Sequence, residues 1–186
     1  MLSSLKQKLL LGATLAAGVA TWSCINPFAP ALDDGSLTAD LITAQLTPEE
    51  VLTNFKYAYN FRDSLLYAGV LDNEFVFQYF DPEQGASGIF VSWTRETDLR
   101  TTGRLLRTFD AINLEWLNTF NPRLDTLRGD AGEIKSILAS LSKSFQLSLD
   151  SNSFSFSVSG FATFTMRQSK SDSKWRIVQW VDKSDL

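Results

Sequence analysis

In these 186 residues the side chains that most often perform chemistry are missing or isolated. There is no His, so no step can use imidazole, and the single Cys, Cys24, excludes an intrachain disulfide and any multi-cysteine metal site. Asp72, Glu74, Asp98, Asp110 and Glu115 are scattered, with no metal-ligand spacing, and Asp33-Asp34-Gly35 is too short for a calcium loop. Gly-rich phosphate loops and nucleophile elbows are absent. What remains is a carboxylate at a strand end, Asp81, followed by Pro82, which is also an ordinary way to open a turn. Aromatic side chains are plentiful at 12% of the chain, and Arg95, Arg100, Arg104 and Arg107 recur at roughly one-turn spacing. Such a row can grip an anion, or form a solvated face paired with Glu96 and Asp98.

Composition narrows the class further. With 44% hydrophobic residues the chain can fill one domain core and is not disordered in bulk. A net charge of −4 gives no basic stripe for counterion release, so a nucleic-acid partner is not expected.

The only cysteine gains meaning from its position. Residues 1–23 contain no acid, carry Lys6 and Lys8, and then run apolar from Leu9 to Ala20. A run of about a dozen residues is short of the roughly 20 that cross a bilayer as a helix and reads as a secretory leader. Thr21, Trp22 and Ser23 then precede Cys24. This arrangement resembles a bacterial lipoprotein signal, which implies a diacylglyceryl group on the Cys24 thiol and cleavage before it; ordinary cleavage with a free thiol, or an uncleaved anchor, are the alternatives. Loss of the two lysines takes the net charge to −6, so attachment to anionic lipid rests on acyl chains. Ile25 in place of a retention Asp favours the outer membrane, facing the periplasm. Residues 24–46, with Asn26-Pro27-Phe28-Ala29-Pro30 and Asp33-Asp34-Gly35-Ser36, read as the lipidated Cys and a flexible tether; its 22 residues after the Cys reach at most about 70–80 Å.

The domain is expected over 47–186. Thr47 as N-cap, Pro48 at the first helical position, Glu50 closing a capping box and Leu46 stapled on Val51 predict a helix with Val51, Phe55, Ala58 and Tyr59 on its apolar stripe. Asp63 and Ser64 cap a short second helix over 65–71. Alternation of Phe75, Phe77 and Tyr79 predicts a strand over 74–80, and 89–93 returns after the Asp81–Gly85 turn. A third helix from about Thr94 directs Leu99, Gly103, Leu106 and Phe109 inward, with close backbone packing expected at Gly103. Beyond Asp110 the period becomes two, through Ile112, Leu114 and Trp116, then Phe145, Leu147 and Leu149, then Phe154 to Met166 with a bend expected at Gly160, and finally 175–182. In that last strand Trp175, Ile177 and Val181 are expected opposite to Val178 and Trp180. Residues 121–144 favour a short helix on the spacing of Ile134, Ile137, Leu138 and Leu141, though a strand is also permitted.

These elements give an α+β domain with N-terminal helices packed on a curved, mainly antiparallel sheet. The order, with Asp63 after the first helix, 74–80, Trp93-Thr94-Arg95-Glu96 before the third helix and the ending Trp175-Arg176-Ile177-Val178-Gln179-Trp180-Val181-Asp182, resembles the NTF2-like (SnoaL-like, cystatin-like) cone fold. It is also similar to uncharacterised bacterial lipoproteins of that type. The resemblance implies a pocket at the cone mouth, for which Phe77, Tyr79, Trp93, Trp116 and Trp180 are the candidates, and often a homodimer through the sheet. It implies no reaction and no cofactor, since the scaffold hosts enzymes and non-enzymes alike. Asp81 falls where ketosteroid isomerase-like members place a general base, but their helical Tyr aligns with Phe55, which has no hydroxyl. The expectation is therefore a non-catalytic envelope lipoprotein that binds a small apolar ligand or an envelope protein. A small isomerase or hydrolase using Asp81 as base is the alternative.

Overall fold

The computed structural model describes residues 41–184, so the leader, Cys24 and the tether as far as residue 40 lie outside the described residues. Within that span the elements run α1 (Pro48–Asn60), α2 (Ser64–Val70), β1 (Leu71–Asp81), β2 (Ile89–Thr94), α3 (Arg95–Thr108), β3 (Ala111–Arg128), β4 (Ile134–Asp150), β5 (Ser155–Gln168) and β6 (Trp175–Ser184). The six strands form one sheet in the order β2-β1-β6-β5-β4-β3, in which β1 and β6 are parallel and every other pair is antiparallel. The three helices cover one face, as the α+β reading requires.

Local sequence explains the helix boundaries. The Thr47 hydroxyl accepts from the Glu50 amide at 3.2 Å, while the Glu50 carboxylate reaches one residue further back than in a standard capping box, to the Leu46 N–H at 2.7 Å. Leu46 itself stays exposed. At the other end the amides of Arg62 and Asp63 close on the carbonyls of Tyr59 and Ala58, a Schellman turn that places Arg62 at φ 56°. Asp63 then caps α2 through the amides of Leu65 and Leu66. The body also begins before Thr47. Gln45 is buried and exchanges hydrogen bonds with the backbone of Trp175, and Thr43 is held by the Asn54 side chain.

The core lies between α1 and the covered sheet face. Val51, Leu52, Phe55 and Ala58 on α1 meet Phe75 and Phe77, Ile112 and Leu114, Leu141 and Phe145, Ala162, Phe164 and Met166, and Ile177, all buried. Asn60 fastens α1 to the edge of the sheet. Its side-chain amide both donates to the Leu114 carbonyl at 3.3 Å and accepts the Leu114 N–H at 2.7 Å, imitating the strand that β3 lacks on that side.

Four expectations are corrected. Residues 121–144 hold no helix: β3 continues to Arg128 and β4 begins at Ile134, paired from Phe120↔Ser142 to Arg128↔Ile134 across two register shifts. Gly160 pairs with Phe145 without a register shift, and the irregularities fall in β1 at Leu71/Val76, in β3 at Trp116/Thr119, Phe120/Arg123 and Leu127/Arg128, and at Thr165/Met166. That last shift passes an extra residue on β6, so Trp180 joins Ile177 on the covered face and Val181 turns to the other. Gly103 is buried but not tightly packed against backbone, since an added Cβ would meet only the Arg107 guanidinium at 3.4 Å.

Candidate functional site

The five aromatic candidates share the covered face, and the sheet register explains why. Trp93, Phe77, Trp180 and Phe164 are cross-strand neighbours in one row over β2, β1, β6 and β5. Their rings fill the space between them. Phe77 stacks on Trp93 at 4.7 Å and meets Trp180 edge-on at 4.8 Å; Tyr79 leans on Trp93 at 5.5 Å. Phe55 at the centre contacts Trp116 at 5.6 Å, Trp180 at 5.4 Å and Phe164 at 5.8 Å. These are the separations of rings packed on each other. The Trp116 indole donates to the Leu52 carbonyl at 2.8 Å, whereas the Trp180 Nε1 is buried with no partner among the described residues. The two described cavities lie elsewhere. One is a groove of about 560 Å³ beside α2, β1 and the β5–β6 turn, and the other, of about 220 Å³, lies between Pro48 and Pro122.

Asp81 ends β1 and serves the following turn. Its two oxygens accept from the Glu83 amide at 3.0 Å and the Gln84 side chain at 2.7 Å, and it lines neither cavity. Phe55, in the place of the resembling family's Tyr, is fully interior, yet hydroxyls stand near it: Tyr59 stacks on Phe55 at 5.0 Å and Tyr67 meets it edge-on at 5.4 Å.

Those two tyrosines belong to a buried polar cluster absent from the sequence-derived candidates. Asp98, in the first turn of α3, is 2% exposed. Its Oδ2 accepts from the Tyr67 hydroxyl at 2.6 Å and its Oδ1 from the Trp93 indole at 3.2 Å. Burial raises the carboxyl above the usual range, against the lowering effect of the bonds from Tyr67 and Trp93. Burial likewise raises the Tyr59 and Tyr67 phenols, reinforced in each case by the Asp98 charge. Both tyrosines therefore remain neutral, and Tyr67 is the one that donates to Asp98. The helix N-terminus and two donors compensate an ionised Asp98 in part. Asp98 thus does not join a solvated arginine face: Arg100, Arg104 and Arg107 are exposed on the other side of α3, and the Arg95 guanidinium donates to the Ala68 carbonyl at 2.8 Å. The missed signal was spacing, because Asp98 and Thr102 stand eight and four residues before Leu106, on its buried stripe.

Among the described residues no group of three acids or other ligating side chains could hold a metal ion, and no helix is long and apolar enough to cross a membrane.

Comparison with known proteins supports the class. No family model matches the sequence, and no curated protein matches it. Among solved structures it is similar to a conserved protein from Planctomyces limnophilus at 12% identity, covering 80% of this chain and 98% of that one with a TM-score of 0.54. A putative aromatic ring hydroxylase from Novosphingobium aromaticivorans is similar at 12% identity over 76% and 89%, TM-score 0.53. A putative scytalone dehydratase from the same organism is similar at 13% over 82% and 87%, TM-score 0.52. The shared architecture is the NTF2-like α+β cone. At these identities the likeness is one of fold.

Proposed function

We propose that this protein is a lipid-anchored component of the cell envelope, held by Cys24 at the outer membrane, whose cone domain docks a second copy of itself instead of turning over a substrate. One observation carries the docking part: the aromatic residues of the covered face contact each other, while four phenylalanines remain exposed on the opposite face. Phe80 and Phe90 are cross-strand partners on β1 and β2, and Phe120 and Phe161 meet at 5.7 Å over β3 and β5. Each alternates in parity with an inward residue of its strand; the neighbouring row of Gln78, Val181, Thr163 and Ser142 is uncharged, while Lys183 stands directly across from Phe161 on the same face. Apolar residues separated by small polar ones suit a self-complementary sheet-to-sheet contact. The resemblance to cone-fold domains that pair through the sheet supports the same occupant. The anchor rests on the thiol placed directly after an acid-free apolar leader.

The test has two arms. Mass spectrometry of the chain recovered from bacterial membranes should find a new N-terminus at Cys24 carrying diacylglycerol, and an unmodified, intact leader would overturn the anchor. Light scattering in detergent should give a dimer, which the double substitution Phe120→Asp and Phe161→Asp converts to a folded monomer. A wild-type monomer, or a dimer indifferent to those charges, would overturn the docking face.

A further inference from the structure

The larger groove lies outside the aromatic interior, where the end of α2 and the start of β1 face the first residue of α3 and the β5–β6 turn. Three guanidinium groups and three carboxylates line it: Arg95, Arg167, Arg176, Asp72, Glu74 and Asp172. Their pairing is uneven. Arg167 divides its fork between Asp72 at 2.6 Å and Glu74 at 2.7 Å, and Arg176 binds Asp172 at 2.6 Å. Arg95 has no carboxylate within ion-pair distance among the described residues; its one hydrogen bond goes from Nη2 to the Ala68 carbonyl, and its Nε is buried without a partner, which leaves the remaining Nη N–H groups for a ligand. The Arg176–Asp172 pair is therefore neutral, the Arg167 trio carries one surplus negative charge, and Arg95 carries one surplus positive charge. The Glu74 side chain is 74% exposed, so its surplus charge is open to a ligand.

We propose that this groove binds a small zwitterion, with an oxyanion, carboxylate or phosphate, received by Arg95 and a primary ammonium received by Glu74 and Asp72. Two unbalanced charges of opposite sign on one concave wall favour a ligand carrying both, and they disfavour a multiply charged anion, which would face three carboxylates. A guanidinium with unused donors is suited to a planar or tetrahedral oxyanion, and an exposed carboxylate to an ammonium group. The groove volume of about 560 Å³ is within the range of small-ligand sites.

The experiment is a titration of the full chain, in a non-ionic maltoside detergent, followed by the amide resonances of groove residues. The probes are alanylalanine and glycerophosphoethanolamine, with acetate and ethylammonium as half-ligands. At least one zwitterion should shift the groove resonances in a saturable way, and each half-ligand should bind about tenfold more weakly or worse. Saturation by the dipeptide alone identifies a carboxylate ligand, and by the phosphodiester alone a lipid headgroup. Arg95→Gln should weaken binding about tenfold, and Glu74→Gln, at an exposed site that leaves the fold intact, several-fold. The proposal is overturned if neither zwitterion shifts the groove, if a half-ligand binds as tightly, or if Glu74→Gln changes nothing.

Discussion

Replacing Asp98 by Asn removes a charge from the interior while keeping its shape. In the native protein the carboxyl is 2% exposed and accepts two hydrogen bonds, from Tyr67 at 2.6 Å and Trp93 at 3.2 Å. An amide can satisfy both neighbours, its oxygen accepting from the indole and its nitrogen donating to the phenol oxygen. Because burial raises the folded-state pKa of Asp98, the folded protein binds this proton more tightly than the unfolded chain does. That contribution is complete below the unfolded value of about 3.9 and is lost as pH rises through the folded value. Asp98→Asn should therefore match the wild type near pH 3 and become the more stable of the two toward pH 8. Tyr67→Phe tests the same cluster from the other side. A bond to a charged, buried acceptor is worth about 1.5–3 kcal/mol, and one to a neutral group about 0.5–1.5 kcal/mol. At about 3–4 °C per kcal/mol for a domain of this size, Tyr67→Phe should lower Tm by about 5–10 °C at pH 8 and by less in the Asp98→Asn background. Calorimetry of the four proteins across pH 3–8 provides the cycle. Equal losses in both backgrounds, or an Asp98→Asn protein less stable than the wild type at pH 8, would refute the account of the cluster.

Three further outcomes follow from the packing. Gly103→Ala should raise stability by about 0.5–1 kcal/mol in a denaturant melt, because the helix gains propensity and the added methyl meets only the movable end of Arg107; destabilisation would show that the Arg107 side chain cannot yield. Asn60→Ala should cost about 1–2 kcal/mol and speed hydrogen exchange at Leu114, whose amide loses its acceptor at the sheet edge. Phe55→Ala, which deletes a ring touching Tyr59, Tyr67, Trp116, Phe164 and Trp180, should cost about 3–5 kcal/mol. A loss below about 1 kcal/mol at Phe55 would mean that the interior is looser than its ring separations indicate.

The legible parts of this fold are those where one signal sufficed locally. Thr47-Pro48 and Asp63 fix helix starts by capping chemistry, and the alternation of Phe75, Phe77 and Tyr79 fixes β1 because only one face of that strand is covered. The 121–144 segment misled for a physical reason. Ile137, Ala139 and Leu141 occupy the inner row of β4, but Leu138 on the outer row and Ile134 beyond a register shift add apolar residues at intervals of three and four, the spacing of a helix face. Bulges hide in the same way. Nothing in Arg176–Asp182 announces the extra residue that brings Trp180 beside Phe164, since a bulge is decided by the partner strand. The polar cluster escaped because an acid in the first turn of a helix has a sufficient explanation in the helix dipole. Its second role, as acceptor for Tyr67 and Trp93, exists only once α2, β2 and α3 are assembled.

The placement of that acid bears on why the cone interior carries rings where its fold neighbours include named enzymes. A cone becomes a reaction vessel when polar groups converge on a space left by the core. Here Asp98, Tyr67 and Tyr59 converge, but Phe55, Phe77, Trp93 and Trp180 occupy the space they would face. The carboxylate uses both oxygens to join α3 to α2 and β2. Trp180, with a buried and unpartnered indole N–H, is the weak point of this closure. Trp180→Ala would open a cavity bordered by Phe55, Phe77 and Phe164, at a cost of about 3–5 kcal/mol. If the interior is closed by side-chain bulk alone, that variant should take up a small aromatic molecule such as indole, raising its Tm in proportion to the logarithm of ligand concentration, while the wild type does not respond. A wild-type protein stabilised equally by indole would show that the cone is already open, and the closed-core argument for docking over catalysis would fall with it.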